Sequence, residues 1–297
     1  MTVRVGFIGC VDSSKMALDT LLQVPGIEVC AVISTKSNPS VGDFYDLSEI
    51  CIENNIPMHL EDTPNKNLSA DFLASYDLDI IFCIGWSRLL GSDILSLTPH
   101  GVVGFHPAAL PSNRGRHPII WALVLGLTKT ASTFFIMDEG ADSGPILSQE
   151  PVSILDTDNA SSLYGKILKI AEQQIFEIAK DLVSNNLKAT NQNHLLANTW
   201  RKRGKNDGMI DFRMSANTIH NLVRALAPPY PGAEFTFNQS KIKVTKTNTV
   251  LNGIKENFEP GKVLDRKGSD ILVKTSGSGA IWLIGIENEE ISIGEYL

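Results

Sequence analysis

Val3-Arg4-Val5-Gly6-Phe7-Ile8-Gly9-Cys10-Val11-Asp12-Ser13-Ser14 carries an apolar run, a glycine and then a polar cluster. The run predicts a buried strand from Val3 to Gly9. Asp12-Ser13-Ser14 are placed to cap a helix whose apolar face is Ala17, Leu18, Leu21 and Leu22. The same alternation continues outward. Ile27 to Ile33 reads as a second strand, apolar enough to be covered on both faces. Leu47, Ile50 and Cys51 suit a short helix, Ile56-Pro57-Met58 a short strand, and Asp79 to Ile84 another buried strand. Val102–Phe105 and Ser132–Met137 follow as strands, with a helix from His117 to Leu125 between them. Strands alternating with helices predict an α/β fold built on an open, mostly parallel sheet with helices on both faces.

Ser161 to Val183 is the clearest helix, with Leu163, Ile167, Ile170, Ile175, Ile178 and Leu182 at helical spacing. After Asn185-Asn186 the character changes. Asn191 to Asn198 is polar, and Trp200-Arg201-Lys202-Arg203 is a basic cluster. Beyond it one helix, Thr218 to Ala227, precedes short strands at Glu234–Phe237, Lys241–Thr247, Gly261–Leu264, Ile271–Lys274 and Ala280–Ile286. The expected organisation is a domain over residues 1–195 and a smaller, β-rich, barrel-like domain over 196–297.

The chain has 297 residues, 43% hydrophobic and 20% charged, enough apolar material for a packed core. Its formal net charge is −7. Residues 1–200 carry 12 basic and 22 acidic side chains, whereas 201–297 carry 14 and 11. An acidic first part argues against a nucleic-acid coat protein, because phosphate binding rests on Lys and Arg. The N-terminal run is too short and too broken for a signal peptide, and no apolar stretch is long enough to span a membrane; a cytoplasmic protein is expected. Cys10, Cys30, Cys51 and Cys83 form no CxxC pair, and the six histidines show no HxH or HxxxH spacing. No metal is therefore expected.

Gly6-Phe7-Ile8-Gly9 resembles the start of a dinucleotide fingerprint. The third glycine is missing, and no acidic residue closes the second strand, so a tight turn without a nucleotide is the better reading. The chemistry lies between Gly101 and Gln149. Gly104-Phe105-His106-Pro107 ends one strand. Leu110-Pro111-Ser112-Asn113-Arg114-Gly115-Arg116-His117-Pro118 forms a loop. Met137-Asp138-Glu139-Gly140-Ala141-Asp142-Ser143-Gly144 follows another strand. The carboxyl ends of parallel strands line the ligand crevice, so His106 and Asp142, far apart in sequence, can meet there as an acid/base pair. Taken singly, His106 also reads as a loop histidine on backbone, Asp142 as a turn residue, and Arg114 and Arg116 as solvated.

These motifs, in this order, resemble the formyltransferases that use 10-formyltetrahydrofolate. The N-terminal part is similar to the Rossmann-like folate-using domain. The region from Trp200 through Ala225-Leu226-Ala227-Pro228-Pro229-Tyr230-Pro231-Gly232-Ala233 is similar to the C-terminal domain shared by methionyl-tRNA and amino-sugar formyltransferases. The resemblance implies that His106 and Asp142 are catalytic. It implies that Phe82, Trp86, Arg88, Leu89 and Leu90 hold the folate co-substrate, with Met137 and Gly140 closing the other side; by themselves Phe82 and Trp86 also read as ordinary core aromatics. It implies attack of a neutral primary amine on the formyl carbon, with histidine and an asparagine stabilising the oxyanion and aspartate orienting the histidine. The family's Asn-x-His is Gly104-Phe105-His106 in this chain. The missing donor leaves Asn113 or a water as substitutes. It also leaves open a non-catalytic folate- or sugar-binding module, or a formyl-donor hydrolase.

Two amines compete within the family: a nucleotide-linked amino sugar and methionyl-tRNA. The family's tRNA enzymes carry a basic loop after the second strand, where residues 34–43 hold one lysine and one aspartate. With the acidic first 200 residues, this favours the sugar. The Trp86-Ser87 and Gly104-Phe105-His106-Pro107 signatures resemble the amino-sugar branch, which includes enzymes of pseudaminic-acid-type biosynthesis. Asn113, Arg114, Arg116 and Arg203 are then candidates for the substrate's polar and phosphate groups, and Trp200 and Tyr230 for stacking. The family also implies a homodimer through the C-terminal domain.

Overall fold

The computed structural model describes residues 2–36, 43–61 and 67–297. Part of the 34–43 stretch that bears on tRNA, residues 37–42, lies outside the described residues. The chain divides into two compact units. The first comprises residues 1–118, 130–152 and 165–200, and the second 119–129, 153–164 and 201–297.

The first unit opens with β1 (Val3–Ile8), α1 (Asp12–Gln23), β2 (Ile27–Ser34), α2 (Ser48–Glu53), β3 (Met58–Leu60), α3 (Asn67–Ala74), β4 (Ile80–Cys83), α4 (Ser92–Leu95) and β5 (Val102–His106). A two-residue strand, β6 (Arg114–Gly115), precedes α5 (Pro118–Val124), which runs almost wholly in the second unit. Then come β7 (Lys129–Ile136), β8 (Ile146–Ser153), α6 (Ala160–Val183) and β9 (Thr199–Trp200). Seven strands form one sheet in the order β3-β2-β1-β4-β5-β7-β8. Pairing is parallel from β3 to β5 and antiparallel between β5 and β7.

Alternation along each strand divides the core between the two sheet faces. Val3, Val5 and Phe7 of β1 and Ile80 and Phe82 of β4 pack with Leu18 and Leu21 of α1 and Ile175 and Ile178 of α6. Ile8, Ile81, Cys83 and Val102 pack with Leu73 of α3 and Ile94 of α4 on the other side. Gly104 and His106 share the parity of Val102, so both belong to this second face.

The expected cap of α1 is corrected by the structure. Val11, not Asp12-Ser13-Ser14, is the N-cap, and no side chain caps it directly. Ser14, one turn in and fully buried, does the work instead. Its Oγ accepts from the amides of Cys10 (2.9 Å) and Val11 (3.0 Å) and donates to the Ile84 carbonyl (2.6 Å). A hydroxyl that both accepts and donates can join the helix start to the end of β4, which a carboxylate cannot.

The second unit holds α7 (Ala216–Ala225) and the strands β10 (Ala233–Phe237), β11 (Ser240–Val244), β12 (Thr247–Val250), β13 (Val263–Lys267), β14 (Asp270–Lys274) and β15 (Ala280–Leu283). β10 and β11 form an antiparallel ribbon, and the others an antiparallel sheet in the order β12-β15-β14-β13. Ser215 caps α7 by accepting from the Thr218 amide at 3.1 Å. No helix among the described residues is long and apolar enough to cross a membrane.

Candidate active site

His106 ends β5 with its side chain only 6% exposed. Its Nε2 lies 2.7 Å from the carbonyl oxygen of Asn113. A carbonyl only accepts, so Nε2 carries the hydrogen. The other nitrogen, Nδ1, lies 3.6 Å from Asp142 Oδ2. That separation exceeds a direct hydrogen bond and leaves Nδ1 as the nitrogen able to exchange a proton. The side chain of Asp142 is 21% exposed. Its Oδ2 accepts from the Gly115 amide at 2.7 Å, and its φ is +54° in the left-handed region. A non-glycine residue there is strained unless its surroundings hold it.

The loop from Pro107 to Pro118 is pinned along its length. Thr133 Oγ1 donates to the Ala108 carbonyl (2.6 Å), and Gln149 Nε2 donates to the Leu110 carbonyl (2.9 Å). Asn198 Oδ1 accepts from the Asn113 amide (2.8 Å). β6 and β9 pair in parallel, with Gly115 at φ +99°, where a β-carbon would stand 2.3 Å from the Trp200 carbonyl oxygen. Only glycine lets the loop lie this close to β9 and offer its amide to Asp142.

The segment after β4 forms a cleft lined by Glu61, Trp86, Arg88, Leu89, Leu90 and Gly91. Leu89 is 67% exposed, and Arg88 pairs with Glu61 while its guanidinium lies 5.2 Å from the Trp86 ring centre. Gly85 has φ +70°, and a β-carbon there would strike Val11 Cγ2 at 2.2 Å. The loop thus packs directly on the start of α1. Its walls are mostly apolar, with a charged edge at Glu61 and Arg88.

Of the residues expected to hold folate, Trp86, Arg88, Leu89 and Leu90 come together in this cleft. Met137 packs against the same apolar cluster as Trp86 and Leu90. Gly140 lies in the exposed turn before Asp142, its amide donating to Asp138 Oδ1 at 3.0 Å. Phe82 is fully buried within the core.

The substrate candidates separate in a similar way. Asn113 lies beside His106. Arg116 is exposed, with Nη1 donating to the Ser87 carbonyl at 2.7 Å. Arg114 is buried, its Nη2 donating to Gln192 Oε1 (2.7 Å) and His194 Nδ1 (3.1 Å). Trp200 lies in β9. In the second unit, Arg201 and Arg203 lie 5.3 and 4.7 Å from the centre of the Trp121 ring. Arg201 also pairs with Asp207 at 2.8 Å. Hydrogen bonds from Arg201 and the Gly204 amide hold the Asp207 carboxyl well below the usual carboxylate range. Burial lowers the pKa of Arg203. Tyr230 follows α7, its amide on the Ala227 carbonyl. Gln192 carries no motif signal and enters the site only through the fold.

Position 104, where the sequence lacks the expected asparagine, is closed by neighbours. A β-carbon on Gly104 would lie 2.8 Å from Met137 Cγ and 2.9 Å from Phe135 Cζ.

Family models match both parts of the chain: "Formyl transferase" over residues 16–178 and "Formyl transferase, C-terminal domain" over residues 202–296. Solved structures share the fold. WlaRD, a sugar 3N-formyl transferase in the presence of dTDP and 5-N-formyl-THF, is 18% identical, with a TM-score of 0.73, over 97% of this chain and 99% of its own. The N-formyltransferase of Helicobacter canadensis, in complex with folinic acid and dTDP-3-aminofucose, is 17% identical, with a TM-score of 0.72, over 95% and 99%. A 4-N formyltransferase from Francisella tularensis is 19% identical, with a TM-score of 0.68, over 82% and 97%.

Proposed function

The chain belongs to the formyl transferase family, and from that premise we propose that it moves the formyl group of 10-formyltetrahydrofolate to the primary amine of a nucleotide-linked amino sugar. The observation that carries this reading is the His106–Asp142 pair at the carboxyl end of β5. The ligands held by the WlaRD and Helicobacter canadensis structures support both the donor and the class of acceptor.

When bound, the folate supplies an electrophilic formyl carbon. Trp86, Leu89 and Leu90 offer apolar faces to its ring, and Glu61 and Arg88 a polar edge. An amine must be neutral to attack, so a base must take its proton. Asp142, whose Oδ2 lies 3.6 Å from His106 Nδ1, is the carboxylate placed to accept that proton. Nε2, held on the Asn113 carbonyl, fixes the ring so that Nδ1 faces Asp142. The oxygen that gains charge as the amine adds requires a hydrogen-bond donor. With position 104 closed, that role falls to a protonated His106 Nδ1, aided by the Asn113 side chain.

Arg116, the exposed arginine of the 107–118 loop, is suited to a phosphate of the sugar nucleotide. The acidic charge of residues 1–200 weighs against tRNA as the acceptor, and the basic balance of residues 201–297 is compatible with a small anionic one.

The test supplies 10-formyltetrahydrofolate with a panel of UDP- and dTDP-linked amino sugars and follows tetrahydrofolate release. Release only with an amine supports transfer. Release without one makes the protein a hydrolase, and binding without release makes it a module. Tight, salt-steep binding of methionyl-tRNA would overturn the choice of acceptor.

A further inference from the structure

Gln192 is 6% exposed and lies just beyond Thr190, whose backbone bridges to Ile146 at the start of β8. Its Nε2 donates to two carbonyls of one turn, those of Asp142 (2.9 Å) and Gly144 (2.7 Å). Its Oε1 accepts from Arg114 Nη2 at 2.7 Å. The orientation of this amide is dictated by chemistry. A guanidinium only donates and the two carbonyls only accept, so the oxygen must face Arg114 and the nitrogen the turn. Arg114 itself is 9% exposed, and among the described residues no carboxylate pairs with it.

These contacts close a ring. Arg114 orients Gln192, Gln192 holds the backbone of Asp142, and the amide of Gly115, next to Arg114, holds the Asp142 carboxylate. Asp142 has φ +54° and no regular element around it. The turn therefore relies on such external bonds to keep its carboxylate at a fixed place beside His106. We infer that Gln192, oriented by Arg114, is a positioning residue that sets the Asp142–His106 geometry and acts on chemistry through Asp142. The inference rests on the proposed formyl transfer only for its kinetic readout.

The test compares Gln192→Glu and Gln192→Met, each alone and combined with Asp142→Asn. Glu keeps the size and the bond to Arg114 but turns oxygen toward two carbonyls. Met keeps the bulk and removes the donors, so one variant remains readable if the other fails to fold. Turnover is expected to fall about 10- to 100-fold, with the KM for the formyl donor within about twofold. In the Asp142→Asn background the same substitutions should add less than about twofold, because residues acting as one unit are non-additive. Unchanged turnover in the folded single variants, or a full multiplicative loss in the double variants, would overturn the inference. If the wild-type protein transfers formyl to no amine, the functional reading fails on its own. The positioning role is then read from the imidazole ¹⁵N signals of His106. Signals displaced by Gln192→Glu as they are by Asp142→Asn support it, and unmoved signals overturn it.

Discussion

The side chain of Met137 fills the space that a side chain on Gly104 would need: a β-carbon there would stand 2.8 Å from Met137 Cγ. Phe135, directly across the β5–β7 pairing from Gly104, closes the same space from 2.9 Å. Glycine at 104 is thus part of a packed cluster rather than an open vacancy beside His106, and the donor expected by resemblance has been replaced by apolar contact.

Gly104→Asn alone should therefore lower stability by about 1–3 kcal/mol, the usual range for overpacking a filled site, without raising turnover. Combining it with Met137→Ala removes one of the two obstructing side chains, leaving Phe135, and should recover part of that loss. Urea unfolding and kcat on the three proteins decide it. A stable single variant with faster transfer would show that the cluster yields freely.

His106→Ala should reduce turnover by about 10²–10⁴-fold, the range for a positioned acid/base group. If the proposed cleft holds the folate, its affinity should stay within a few-fold of wild type, because Glu61, Trp86, Arg88, Leu89 and Leu90 line that cleft and His106 does not. Folinic acid titration alongside steady-state rates separates the two effects. Normal turnover in this variant removes His106 from the chemistry.

The sheet is legible in the sequence because strands covered on both faces leave uninterrupted apolar runs, as in Val3–Ile8 and Ile80–Cys83. β8 leaves no such mark: it is an edge strand, and Ser148, Gln149 and Glu150 break its apolar pattern. α4 is a single turn, too short for periodicity. His106 and Asp142 stand out by motif, but the ring that holds Asp142 does not. Gln192 reaches Asp142 across 50 residues and Arg114 across 78, and no local spacing records such contacts. Arg114 illustrates the same limit. Its neighbours in sequence suggest a solvated loop, whereas pairing with β9 turns it inward.

Asp142→Asn should separate stability from activity. Asparagine tolerates the left-handed backbone and still offers an oxygen to the Gly115 amide, so unfolding free energy should change by less than about 1 kcal/mol. It cannot accept the amine's proton, and turnover should fall about 10²–10⁴-fold. A variant that unfolds early would instead make the carboxylate charge a structural requirement.

Ser14→Ala should be among the costliest single-atom deletions in the first unit. It strips the acceptor from two amides and the donor from the Ile84 carbonyl, all at a fully buried position. Orphaned buried groups cost about 1–3 kcal/mol each, partly relieved by water, so a loss of about 2–3 kcal/mol is expected. Because Gly85 packs against the same helix start, folinic acid affinity should fall as well. A loss under about 0.5 kcal/mol, measured by denaturant unfolding, would contradict this role.

Stability of the second unit should depend on pH through His220. Its Nδ1 lies 2.8 Å from Thr247 Oγ1. Burial, then the charge of Arg224, lowers its pKa below the ordinary 6.5, against weaker opposing effects from Thr247 and Asp156. The folded protein therefore resists a proton that the unfolded chain accepts near pH 6.5. Stability from this source is full above that pH and declines as pH falls through the window between 6.5 and the lower folded value. Asp207 and Asp211 also have lowered values, but as carboxylates they lose their contribution at more acidic pH. His220→Asn removes the titration and keeps a polar partner for Thr247. The wild-type unfolding free energy should fall more steeply than that of the variant between pH 7 and 5, by at most one proton's slope. Parallel profiles would mean that His220 takes up its proton equally in the folded and unfolded chains.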